Sequence, residues 1–145
     1  MEILKVENLC KTYGEGITQV KALDNINFSV NKGEFVAIVG ASESGKSTLL
    51  YLIGGVNWPP SDKVYIDGKD IYEYTDDELA IFRKRQVGLI YQFYNLIPIL
   101  NIEENIKLPL SLDNKKVNKD ELNILLKTLG LMDRKDYLPN ELSGG

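Results

Sequence analysis

The sequence runs to 145 residues, room for one domain and a modest core. Its formal net charge of −4 argues against a general nucleic-acid binder, because neutralising phosphates needs a basic face. The single cysteine, Cys10, excludes an internal disulfide, the lack of histidine excludes an imidazole base or metal ligand, and no apolar run is long enough for direct insertion into a bilayer.

The N-terminus, Met1-Glu2-Ile3-Leu4-Lys5, reads without the basic and apolar regions of a signal peptide. Residues 2–8 alternate as a strand, with Tyr13 following and a turn at Gly14-Glu15-Gly16. Val20, Ala22, Leu23, Ile26, Phe28 and Val30 predict a second, half-buried strand pair closed by Asn31-Lys32-Gly33. Glu34 to Val39 is nearly continuous in apolar residues, as expected of a parallel strand covered on both faces.

That run feeds Gly40-Ala41-Ser42-Glu43-Ser44-Gly45-Lys46-Ser47-Thr48, which fits G-x-x-x-x-G-K-[ST]. A strand, a glycine-bearing loop and a helix start in this order suit a polyphosphate. Backbone N–H groups line the loop, the first helical turn offers its positive end, and Lys46 adds a mobile charge. The Ser47 hydroxyl stands where it can coordinate Mg²⁺. Chance alone puts such a pattern in about one chain in two hundred of this length, and the flanking strand and helix lower that further.

The helix after Lys46 carries Leu49, Leu50, Leu52 and Ile53 and stops at Gly54-Gly55. Asn57 to Asp62 reads as a loop, and Val64-Tyr65-Ile66 before Asp67-Gly68 as a short strand and turn. Three helix starts share a capping-box pattern: Thr75 with Glu78, Asn101 with Glu104, and Asn118 with Glu121. The first of these helices ends in Arg83, Lys84 and Arg85, read as a solvated end that complements the dipole. Val87 to Tyr91 is a compact apolar strand running into Gln92, and the third helix places Leu122, Leu125, Leu126 and Leu129 on one face before Gly130.

Taken together, the ordered motifs resemble the ATP-binding subunit of an ABC transporter. Gly40–Ser47 is the phosphate loop. Gln92, followed by Phe93-Tyr94-Asn95-Leu96-Ile97-Pro98, resembles the Q-loop, and Leu142-Ser143-Gly144-Gly145 the start of the signature motif. Tyr13 sits where the family places an aromatic residue under adenine. The stretch Gln86 to Leu110 is most similar to the exporter branch that handles macrolides, lipoproteins and antimicrobial peptides.

The resemblance implies an α/β fold of the P-loop NTPase type. A mostly β subdomain covers about residues 1–33, part of an incomplete RecA-like parallel core covers 34–92, and a helical subdomain covers 93–145 up to the signature. It implies ATP and Mg²⁺ as cofactors, with Gly40 to Thr48 around the phosphates, Ser47 and Gln92 at the metal, and Gln92 sensing metal or water. It also implies a signature acting in trans, on nucleotide held by the opposite subunit of a homodimer. The partner would be a membrane permease, and the location cytoplasmic, peripheral to the inner face of the cell membrane. Lipoprotein release and cell division are alternative roles within the family.

The family pattern also breaks. Relatives run on past the signature into an acidic strand, a catalytic glutamate and a switch histidine, which these 145 residues do not contain. Tyr51, Asn57-Trp58 and Asp62 depart from the usual residues by steps that one G:C to A:T change each can reach, as can a stop after Gly145. The expectation is a prematurely ended copy, binding nucleotide or a permease without turnover, and marginal in stability or prone to aggregate. Its two core strands would not be neighbours and would expose unpaired edges. Glu43 stands where glycine is usual. A side chain at φ > 0 there costs about 1–2 kcal/mol, and its carboxylate, about 7 Å from a phosphate, adds about 2 kcal/mol of repulsion.

Overall fold

The computed structural model describes residues 1–57, 63–92 and 95–142, which fall into two compact units, Met1–Leu89 and Ile90–Gly145. The first unit is built on a four-stranded antiparallel sheet of order β2-β1-β3-β4. Its strands are β1 (Glu2–Tyr13), β2 (Val20–Asn31), β3 (Lys63–Ile66) and β4 (Lys69–Asp70).

The long β1–β2 hairpin explains a pattern that alternation alone does not. Val6 and Leu9 are both buried although three residues apart, and the register shifts between them. Asn8 sits there at φ +53°, and its N–H donates to the Asn27 side chain at 2.8 Å. One extra residue returns Leu9 to the core face, as a bulge does. Asn25, at φ +51°, plays the same part between Leu23 and Ile26. The expected strand pair over residues 20–30 is therefore one bulged strand.

Helix α1 (Lys46–Ile53) packs Leu49 and Leu52 onto this sheet beside Ile71, Leu79 and Phe82. It ends as its glycines require. Gly55 takes φ +66°, its N–H donates to Leu52 O, and the Val56 N–H donates to Tyr51 O at 2.9 Å. The same cap recurs at Gly130 after α4 (Lys119–Thr128), where the Leu131 N–H reaches Leu126 O.

Helix α2 (Asp76–Gln86) opens on a full capping box. Glu78 accepts from the Thr75 N–H and hydroxyl, bonds that hold its carboxyl below the usual carboxylate range. In the second unit, α3 (Ile102–Leu112) has the same box at Asn101 and Glu104. The expected third box is corrected. Asn118 caps α4 by accepting from the Asp120 and Glu121 N–H groups, but the Glu121 carboxylate meets the Asn118 side-chain amide at 3.3 Å rather than its backbone. Leu122 and Leu126 are buried, whereas Leu125 and Leu129 stay exposed.

Among the described residues, the strands expected over Glu34–Val39 and Val87–Tyr91 form no ladder. Phe35 is 96% exposed, Val39 87% and Ile90 102%. These segments have the composition of buried parallel strands, but among the described residues neither joins a sheet; Ile38 and Val87 pack against the core while Phe35, Val39 and Ile90 stay open to solvent. From residue 58 the loop expected over Asn57–Asp62 lies outside the described residues, as do Phe93 and Tyr94.

Candidate functional site

The loop Gly40–Gly45 turns on two positive-φ residues. Gly45 lies at φ +82° as the N-cap of α1, and a Cβ there would stand 2.2 Å from the Ala22 carbonyl oxygen. Only glycine meets both demands, so the helix start is pressed against β2. Glu43 lies at φ +62°, the conformation expected where glycine is usual, with its side chain exposed.

Lys46 closes the loop on itself. Its ammonium donates to the Gly40 carbonyl at 2.9 Å, to the Ala41 carbonyl, and to the Ser44 hydroxyl at 3.1 Å. A cation is thus held at the centre of a ring of backbone, at the mouth of a helix. The structure brings Gly40, Ala41, Ser44, Gly45 and Lys46 together directly, with exposed Ser42 and Glu43 on the loop between them and Ser47 and Thr48 in the first turn of α1.

The start of α1 differs from the others. α2, α3 and α4 each have a side-chain cap and two or three acidic residues in the first turn. α1 has no side-chain cap and no acid in its first turn. A helix left this way presents its orphan N–H groups and the positive end of its dipole to an anion. The donor set therefore suits a phosphate: amides, one ammonium, and the exposed Ser47 hydroxyl.

The far end of α1 is fastened by Tyr72, which carries no sequence signal for this role, and by Arg83. The Tyr72 hydroxyl lies 2.6 Å from the Leu52 carbonyl and 2.9 Å from that of Asn57, and burial pushes its phenol well above the usual range. Arg83 donates to the Gly55 carbonyl at 2.8 Å, which corrects its assignment to a solvated helix end. The signal was absent because the acceptor lies on the cap of a different helix.

Tyr13 ends β1 opposite Val20, is 42% exposed, and has the Lys11 ammonium 5.6 Å from its ring centroid. Gln92 is exposed at a bend after Tyr91, not at the end of a strand, because Val87–Tyr91 joins no sheet among the described residues. It belongs to the second unit, as does Leu142, which follows the short helical turn Pro139–Glu141. Ser143, Gly144 and Gly145 lie outside the described residues.

Comparison with known proteins agrees with this geometry. The family model described as ABC transporter matches residues 23–145. An uncharacterized ABC transporter ATP-binding protein of Mycobacterium tuberculosis is 43% identical over 145 residues, covering 99% of this chain and 58% of its own length. The lipoprotein-releasing system ATP-binding protein LolD of Xanthomonas campestris pv. campestris is 41% identical, covering 99% of this chain and 61% of its own. The chain thus spans about three fifths of the length of these relatives.

Among solved structures, the dimeric bacterial ABC transporter cassette MJ0796 superposes with a TM-score of 0.87 at 37% identity, over 98% of this chain and 64% of that one. A post-hydrolysis state of the same cassette, bound to ADP and Pi, gives 0.86. Among the described residues no helix is long and apolar enough to cross a membrane. With a glycine-pinned loop, an uncapped helix start and a family match over most of its length, the chain belongs to the ABC transporter family.

Proposed function

We propose that this chain is the nucleotide-binding part of the ATP-binding subunit of an ABC-type export system. The observation that carries the reading is the Gly40–Thr48 loop, with Lys46 held by loop carbonyls at the uncapped start of α1. On this reading Lys46 exchanges its carbonyl partners for the β- and γ-phosphates, the α1 amides and Thr48 face the phosphate chain, and Tyr13 offers a ring face to adenine. Ser47 and Gln92 would hold Mg²⁺, which would neutralise phosphate charge. Leu142 with Ser143, Gly144 and Gly145 serves nucleotide on an opposing subunit. The divisions are about 1–33, 34–92 and 93–145. The subunit works with a membrane permease, as a dimer, at the cytoplasmic face of the membrane, and lipoprotein release is an alternative export class in view of the LolD relative.

The test is equilibrium binding of a fluorescent ATP analogue, with competition by unlabelled nucleotides. ATP and ADP are expected to compete at least tenfold better than AMP, because the loop reads the distal phosphates. Equal competition by AMP overturns the reading. A second reading, nucleotide binding without turnover by these 145 residues, is favoured by the segments at 34–39 and 87–91, which join no sheet among the described residues. Sustained phosphate release by the purified chain would refute it.

A further inference from the structure

We propose that Asn105 is a positioning residue that fixes the loop following Gln92. The inference rests on the reading of Gln92 as the residue that responds to Mg-nucleotide. The Asn105 side chain closes the turn over 97–101 in both directions. Its Oδ1 accepts from the Ile97 N–H at 2.8 Å, and its Nδ2 lies 3.1 Å from the Ile97 carbonyl, 2.9 Å from that of Leu100 and 3.1 Å from that of Asn101. Only a primary amide of this length offers an acceptor and two donors to one turn. Aspartate would set lone pairs against three carbonyls, and alanine would take the partner from the Ile97 N–H and the Leu100 carbonyl, while the Ile97 and Asn101 carbonyls keep the Leu100 and Asn105 N–H groups.

The base on which Asn105 stands is itself fixed. The Ile102 N–H donates to the Tyr137 carbonyl at 3.0 Å, the Glu103 N–H to that of Lys135 at 2.9 Å, and the Glu104 N–H to the Asn101 side chain at 2.8 Å. The Glu103 carboxylate pairs with Lys107 and lies 3.5 Å from Lys135, and the Lys107 bond first of all holds it below the usual carboxylate range. The first turn of α3 therefore grips the segment that leads toward Leu142, and Asn105 hangs the 97–101 turn from the same point. Loss of this side chain should free the turn without loosening the helix.

The test compares the full chain with Asn105→Ala and Asn105→Asp. In Asn105→Ala the Ile97 amide should exchange about tenfold faster, with Ile102, Glu103 and Leu126 unchanged. ATP affinity in EDTA should stay within about twofold, while the added affinity given by Mg²⁺ falls at least about threefold. Unchanged exchange at Ile97, or faster exchange with the Mg²⁺ increment intact, overturns the proposal. If the wild-type chain shows no Mg²⁺ increment, the Gln92 reading fails and takes the proposal with it, a failure told apart because it is seen before any substitution. Should Asn105→Ala lose protection at Leu126 as well, Asn105→Asp, which keeps the shape and the acceptor for the Ile97 N–H but removes the donors to the carbonyls, decides by the Mg²⁺ increment: a fall of at least about threefold supports the proposal and an intact increment overturns it.

Discussion

Lys46→Met is expected to weaken ATP binding about 10- to 150-fold, the loss of a charge-assisted hydrogen bond worth about 1.5–3 kcal/mol. Methionine keeps most of the apolar stem and removes the ammonium. In the free protein that ammonium is already partnered by Gly40 O, Ala41 O and Ser44 Oγ. Nucleotide therefore gains only the difference between phosphate and carbonyl partners, which sets the lower end of the range. Adenosine, with no phosphate, should bind wild type and variant alike. Isothermal titration with both ligands checks this, and equal ATP affinities would mean that Lys46 only staples its own loop.

Replacing Glu43 by glycine is expected to raise ATP affinity by up to about 30-fold at low salt, the equivalent of about 2 kcal/mol of removed repulsion. The structure sharpens the expectation from sequence. Glu43 already occupies φ +62° in the free loop, so its backbone strain is present before nucleotide arrives and cancels from the affinity. Only the carboxylate charge remains to act, and it is exposed. The gain should therefore shrink to a few-fold in half-molar salt, where the Debye length is about 4 Å. The relieved strain should appear instead as a modest stabilisation of the Glu43→Gly chain against urea. A ratio that does not change with salt would contradict the electrostatic account.

What the sequence made legible was local chemistry. The loop pattern, the glycine-ended helices and the capping boxes at Thr75 and Asn101 depend on side chains within four residues of the backbone they serve. Each is present as expected. The demand for positive φ at position 43 was readable for the same reason. Pairing was not. An apolar run such as Phe35-Val36-Ala37-Ile38-Val39 states that burial is favourable, but nothing in it says whether a neighbouring strand exists to provide it. The bulge at Asn25 broke the alternation of β2 and made one strand look like two, and the bulge at Asn8 broke the alternation of β1. The partners of Arg83 and Asn105 were invisible because one acceptor lies 28 residues away and the others belong to an irregular turn.

The most direct measurement of the central claim is amide hydrogen exchange of residues 41–48 in the presence of Mg-ATP, with adenosine as the control. The account predicts that Mg-ATP slows exchange of these amides about tenfold or more, and that adenosine leaves them unchanged. Exchange at 41–48 that is indifferent to saturating Mg-ATP would contradict the assignment of this loop as a polyphosphate pocket.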